Sequence, residues 1–394
     1  MKRKNRENFW EEQNQTWRQP SEVVAHWMGM PPIDPVIFKY RESGNFFSVL
    51  DAFQITLLIT REYEHLVMAI STTEGGSPAF SYLSLPHPSG LAVDYQRGIV
   101  HVASTRNPNM IFNFSPLKKT IKRLDVDKNH HEDSQLKTLM PRQAHFLAGC
   151  YYIHDLAMIG GSLHANSVGQ NSVVRVDEEN AQIVWWPGCI EQAGQPVFGQ
   201  NHIQLNSIAA GENLKTSFFS ASADKISSRR PGHRNFPVDK RGVIFSGKTR
   251  EPIVYGLTRP HSARLHKNQL YVDNSGYGQF VLVKDGKLIV LSNLPGWTRG
   301  LGFYEDIAFV GTSQVISRFR QYAPGLDVDK SLCGIHAVDI KTGNVLGSIY
   351  WPNGNQIFAI EAIPQELTSG FPTVIGRKNS LKEEKKLYYT FSLL

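Results

Sequence analysis

The sequence predicts an all-β chain folded as a six-bladed propeller, on three observations. Short apolar strands separated by turn residues recur from end to end. One plan, a polar entry followed by an apolar strand, a turn and further strands, is repeated along the chain. The first and last copies are incomplete in complementary ways. Composition agrees: 32 Gly, 21 Pro and 42 aromatic residues in 394 favour strands and turns over long helices, and 41% hydrophobic residues supply ample core.

The copies follow in order. LPHPSGLAVDYQRGIVHVAST covers residues 85–105, and YYIHDLAMIGGSLHANSVGQNSVVRVD covers 151–177. A weaker copy, NHIQLNSIAAGENLKTSFFSAS, covers 201–222, and RPHSARLHKNQLYVDNSGYGQFVLVKDGKLIVLS covers 259–292. The fifth opens with TRGLGFYEDIAFVGTS at 298 and resumes after an insertion as CGIHAVDIKTGNVLGSIYW. The last, NQIFAIEAIP at 355–364, has no strands of its own after it. In the fourth copy Leu270 and Val272, Val281 and Val283, and Leu288 and Val290 are apolar at period two, as strands require, and SGYG and KDG are turns.

Four strands in roughly 40–60 residues is the size of a propeller blade. Entry strands near Leu91, Leu156, Ile208, Ala263, Leu301 and Ile360 set the number at six. The runs FFSVLDAFQITLLIT, HLVMAIST and SYLSLP after Asn45 have no entry strand before them, so the strand around Ile360 is expected to complete that blade. Closure of this kind removes exposed sheet edges. The expected organisation is an N-terminal arm over 1–44 packing on the propeller, the propeller over 45–364 and a C-terminal tail over 365–394 whose KNSLKEEKK run is a solvated face.

Several classes are disfavoured. Cys150, Cys189 and Cys333 lie far apart without a CxxC pair, against a thiolate zinc site or a disulfide framework. Cys150 is expected to be a small buried hydrophobe. MKRKNRENFWEEQNQTW lacks the apolar core of a signal peptide, and the apolar stretch 46–70 is broken by Asp51, Arg61, Glu62, Glu64 and His65. A cytoplasmic protein without membrane contact is expected. The net charge of +7 shows no basic stripe with interleaved aromatics, so nucleic acid is a disfavoured partner. The pair His130 and His131 falls in an inter-strand excursion and is expected to be solvated.

The strings IHDLA, RPHSARLHKNQLYVDNSGYG, LPGWTRGLGF…AFVGTSQ, CGIHAVDIKTGNV and QIFAIEAIP resemble an uncharacterised bacterial propeller family, in order as well as content. Its members are conserved hypothetical proteins, sometimes joined to tetratricopeptide repeats. The resemblance spans about residues 46–364 and implies the fold and no chemistry. It departs at NHIQLNSIAA, where His202 stands two residues further upstream of the Leu-Asn pair than in the family's string.

Chemistry in a propeller concentrates where the innermost strands begin, because equivalent positions converge there from distant parts of the sequence. Blade by blade these residues are His87 with Ser89, His154 with Asp155, His202 with Asn206, Arg259 with His261 and Ser262, Thr298 with Arg299, and Asn355 with Gln356. Histidine therefore recurs at the entries of four copies. Two site chemistries stay open. The imidazoles of His87, His154 and His261 suit one divalent metal that activates water or a carbonyl. Alternatively His154 and His261 are catalytic acid and base with Arg299, while His87, Ser89, Asn206, Arg259 and Gln356 bind substrate and the arginines grip an anion. The simpler alternative is a set of latches that bond each blade to its neighbour. Glu361 could face the channel as a base or pair with an arginine; Trp185 and Trp186 suit strand-end packing or a stacking platform. No GxSxG elbow surrounds Ser262.

The function expected is a propeller with a small-molecule or peptide site at the channel mouth, performing metal-assisted or acid–base lyase, cyclase, isomerase or hydrolase chemistry. The rival is a non-enzymatic scaffold that meets a protein partner through its rim or N-terminal arm.

Overall fold

The computed structural model describes residues 33–105, 109–125, 137–177, 180–199, 201–376 and 380–393. His130 and His131, and most of the N-terminal arm, lie outside them.

Six antiparallel sheets, four of four strands and two extended by a fifth at the outer edge, stand around a central axis, and we number them as blades in chain order. Blade 1 comprises Pro88–Asp94, Ile99–Ser104, Asn109–Pro116 and Leu139–Leu147. Blade 2 comprises Ile153–Ile159, Ser162–Ser167, Ser172–Val176 and Ala181–Trp185. Blade 3 comprises Leu205–Ala209, Phe218–Ala221, Gly242–Ser246 and Pro252–Leu257. Blade 4 comprises Pro260–His266, Gln269–Asn274, Gln279–Lys284 and Lys287–Asn293. Blade 5 comprises Trp297–Tyr304, Ile307–Ser313, Gly334–Asp339 and Val345–Tyr350. Blade 6 takes its innermost strand, Ala359–Pro364, from late in the chain and the other three, Ile55–Arg61, Leu66–Thr72 and Pro78–Ser84, from early in it. Leu57 pairs with Ala362 and Ile59 with Ile360, so the ring closes as the incomplete copies predict.

The apolar core is divided among the blade interfaces. Leu58, Val67 and Ala69 of blade 6 meet Leu91, Val93 and Val100 of blade 1, and comparable clusters fill the other five interfaces round the ring. A blade with both neighbours is buried on both faces, which is why Leu66–Thr72 and Ile307–Ser313 are buried throughout while the rim strand Lys287–Asn293 is largely exposed.

Hydrogen bonds stitch each blade to the next close to the channel. Thr60 donates to the Ser89 carbonyl, Ser89 to that of Ile153, Asn166 to that of Leu205, Asn206 to that of Pro260, Ser275 to that of Thr298, and Ser313 to that of Ile357. All six interfaces carry such a bond, at 2.6–3.2 Å. The latch therefore exists, built from Ser, Thr and Asn rather than histidine.

Two expectations are corrected. FFSVLDAF forms an α-helix, Phe46–Phe53, where a strand was expected; its apolar residues Phe46, Phe47 and Leu50 recur at helical spacing and bury against blades 5 and 6. Residues 380–390 form a helix on which Lys382 and Lys385 of the charged run are exposed, and Phe391–Ser392 pairs with Lys119–Thr120 of the blade 1 excursion. Cys150 is exposed. Flanking segments cover the outer edges of the two seam blades: Arg41–Gly44 pairs with blade 5 and Thr373–Val374 with blade 6. Among the described residues no helix is long and apolar enough to cross a membrane.

Candidate functional site

Strand pairing sets the level of each residue at the channel mouth. Pro88 pairs with Ser104, Ile153 with Ser167, Leu205 with Ala221, Pro260 with Asn274 and Trp297 with Ser313, so these five innermost strands begin in register with one another. The residue just before the strand is His87, Tyr152, Gln204 or Arg259 in blades 1 to 4, with φ of 45°, 51°, 53° and 53°. A left-handed backbone at a non-glycine residue costs about 1–2 kcal/mol. It recurs at one level, three times at a residue that lines a cavity, so the rim carries the same local strain in successive blades. The second strand residue is Ser89, His154, Asn206, His261 or Thr298, and a register shift follows in each strand. Thus His154 and His261 are true equivalents, whereas His87 is equivalent to Arg259 and His202 lies three residues before its strand.

A cavity of ≈ 210 Å³ opens on this face. Of the expected site residues His154, His261, Arg259, Arg299 and Gln356 line it; His87, Ser89 and Asn206 do not. Ser89 and Asn206 are committed to the latch. His87 packs edge-on against His65 at 4.5 Å, its Nδ1 3.8 Å from Glu62 Oε1. The metal set of His87, His154 and His261 is therefore not assembled, and among the described residues no three His, Cys, Asp or Glu side chains are grouped to hold an ion. His202 also stands off the cavity, which Asn201 reaches instead.

Two arginines dominate the electrostatics. Arg259 is 6% exposed; its guanidinium donates to Gln204 Oε1 and, at 3.4 Å, to the Pro231 carbonyl, and lies over the Tyr322 ring at 4.4 Å. Arg299 is 8% exposed and sits 3.2 Å from the centroid of the Phe358 ring. Its strand turns there because Gly300 adopts φ 88°, and Gly311 opposite leaves room for the Arg299 carbonyl, which a Cβ would approach to 2.2 Å. Burial lowers both guanidinium pKa values to about 10, and both stay cationic at neutral pH. Neither has a carboxylate ion-pair partner among the described residues. Glu62, the acidic side chain on the cavity wall, accepts from the Thr105 hydroxyl at 2.5 Å.

His261 Nδ1 lies 2.8 Å from the Arg259 carbonyl, which can only accept, so Nδ1 carries the proton and Nε2 presents a lone pair. Burial, then the charges of Arg299 and Arg259, push its pKa well below the usual imidazole value. His154 stands beside Tyr152 and edge-on to Phe358, its strand entry fixed by Asn166 Oδ1, which accepts from the backbone N–H groups of His154 and Asp155. Asp155 points down the channel into a bidentate pair with Arg264 at 2.7 and 3.0 Å and also accepts from Ile208 N–H. Glu361 shares that region, and burial pushes its carboxyl up to about 7, opposed by Arg264. Trp185 packs on Phe219, and Trp186 lies under Arg250, so both serve packing at the strand end.

The cavity's roof comes from two inter-strand insertions. Residues 222–241 supply Arg230 and Gly232, residues 314–333 supply Phe319 and Tyr322, and the Tyr322 hydroxyl joins them by donating to the Gly232 carbonyl at 3.1 Å. These residues carry no repeat and no motif, so the sequence offered no signal for them. Tyr152, Gln204 and Trp297, by contrast, flank named entry residues and were within reach of a strand-by-strand alignment.

The fold is similar to that of several solved structures. A chain of a nidogen/laminin complex matches with a TM-score of 0.50 at 10% identity, covering 78% of this chain and 98% of that one. A putative 6-phosphogluconolactonase from Bacteroides uniformis gives a TM-score of 0.45 at 11% identity, covering 79% and 100%. A gluconolactonase from Xanthomonas campestris gives 0.44 at 13%, covering 76% and 86%. At such identities the likeness is one of fold alone. A search of curated proteins found no match. Residues 44–370, most of the chain and all of the propeller, match the family described as a domain of unknown function (DUF4915), and the protein belongs to that family.

Proposed function

We propose that the channel-mouth cavity binds a small organic anion and that His261, with His154, moves a proton on it. One observation carries this reading: two buried guanidiniums, Arg259 and Arg299, line one cavity without a carboxylate in ion-pair contact, the single Glu62 carboxylate on the wall acting on Arg299 from a distance. Burying a charge is expensive unless it is neutralised, and an incoming anion supplies the missing charge in a site of low dielectric. The neutral imidazole of His261, which lines the same cavity, keeps the Nε2 lone pair as its basic site and is suited to act as a base. The dispersal of the three histidines favours acid–base chemistry over metal assistance, within the lyase, isomerase or hydrolase classes.

The test is calorimetric titration of wild type and Arg299→Ala with a panel of small carboxylates and inorganic phosphate. Binding by the wild type that falls at least about tenfold in the variant, with an unchanged melting profile, supports the reading; each charge-assisted hydrogen bond is worth about 1.5–3 kcal/mol. Equal affinities, or no binding to either protein, would sink it.

A further inference from the structure

The cavity's remaining polar groups narrow the class of anion. The side-chain amide of Asn355, 2% exposed, makes no hydrogen bond, and its Nδ2 is fully buried. Its neighbour Gln356 likewise has a buried Oε1 without a partner, as has Nε of Arg259. All three residues line the cavity, and their backbone is fixed independently: Asn355 N–H donates to Glu64 Oε1 at 2.6 Å, and the Asn355 carbonyl accepts from Gln314 N–H at 2.8 Å. Buried polar atoms without a partner occur elsewhere among the described residues too; what points to groups a ligand brings is that these three stand together on one cavity wall beside two guanidiniums that are not ion-paired.

Guanidinium groups donate only and match an anionic oxygen, whereas an amide both donates and accepts. A hydroxyl also does both, and a row of adjacent hydroxyls is the complement of consecutive Asn and Gln side chains. Trp297 and Phe319 add flat apolar wall on which the C–H face of a ring can lie. At ≈ 210 Å³ the space is below the 300–1,000 Å³ of drug-sized sites, which restricts the ligand to a molecule of about six carbons.

Resting on the anion-binding reading above, we infer that the ligand is a polyhydroxylated monocarboxylic acid of sugar size, its carboxylate held by Arg259 and Arg299 and its hydroxyls by Asn355 and Gln356. The juxtaposition of idle amides with uncompensated arginines around one small cavity carries the inference.

The experiment titrates the full-length protein with D-glucuronate, D-galacturonate and D-gluconate, and in parallel with cyclohexanecarboxylate, glucose and inorganic phosphate. At least one hydroxy acid is expected to bind about tenfold or more tighter than cyclohexanecarboxylate and glucose, since two hydrogen bonds that a competitor cannot make are worth at least that factor. Gln356→Leu, at a partly exposed position that tolerates the change, and Asn355→Leu are expected to erase the preference over cyclohexanecarboxylate while keeping carboxylate binding; Arg299→Ala is expected to abolish both. Cyclohexanecarboxylate or phosphate binding as tightly as the best hydroxy acid, or Gln356→Leu leaving the preference intact, overturns the class and leaves the anion site standing. No binding of any acid overturns both.

Discussion

At the scale of single residues the site is defined by charges left without partners. Arg264 and Asp155 show the contrast: a few residues deeper in the channel, a buried guanidinium does find a carboxylate, in a bidentate pair. Arg259 and Arg299 instead rest on aromatic rings, Tyr322 and Phe358, which lessen the cost of burial without neutralising the charge. His261 records the same field. In the free protein it stays neutral below the ordinary imidazole value of 6.5, because burial and the two arginines disfavour imidazolium. The unfolded chain takes up a proton there below that value, so its contribution to stability is lost as pH falls below about 6.5. Nitrogen-detected NMR of the ring is expected to show neutral His261 at pH 6, and a bound anion is expected to raise its pKa by offsetting the arginines. A ring that titrates near 6.5, or one unmoved by the anion, would contradict this account.

At the scale of elements, the innermost strand does two jobs with alternate residues. One residue latches onto the adjacent blade, as Ser89 and Asn206 do, while its equivalents in blades 2 and 4, His154 and His261, line the cavity. In blade 2 the latch passes to Asn166 on the second strand, and in blade 4 to Ser275 just beyond it, which frees the two histidine side chains for the site. The cost of a lost latch is therefore structural. Asn206→Ala removes the hydrogen bonds its side-chain amide donates to the Pro260 carbonyl and the Ser222 hydroxyl and is expected to destabilise the fold by about 1–3 kcal/mol without changing anion affinity, measured by denaturant unfolding beside calorimetry. An affinity change at unchanged stability would assign Asn206 to the site after all.

At the scale of the whole molecule, the propeller holds together because every blade has two neighbours, and the seam at blade 6 is where that condition is met last. Ile360, fully buried on the closing strand, pairs with Ile59 across some 300 residues of chain, and Asn355 and Gln356 reach the cavity only because this strand is seated. Ile360→Asp puts an unpaired carboxylate in the interface core and is expected to cost at least about 3 kcal/mol or to abolish the folded monomer. Val345→Asp, at the exposed first residue of the outer strand of blade 5, is expected to stay within about 0.5 kcal/mol of wild type. Equal stability of the two variants by thermal unfolding would argue against closure through this strand.

The sequence by itself determined the strand repeat, the six blades and the closing strand, because period-two apolarity and turn glycines are local signals that survive without a neighbour. It also marked Arg259, His261, Arg299, His154 and Gln356 as entry residues. What it misjudged is not a matter of register. His87 stands at the level of Tyr152, Gln204 and Arg259, and Ser89 and Asn206 at the level of His154 and His261, yet in each set only the latter residues line the cavity, so the blade that carries an entry residue decides whether it meets the cavity or packs on its neighbours. FFSVLDAF is too short for local apolarity alone to separate helix from strand; packing against two blades chose the helix. The roof over the cavity, with Gly232 and Tyr322 brought together from separate insertions, has no period to read, and only the closed ring of blades sets where those loops meet.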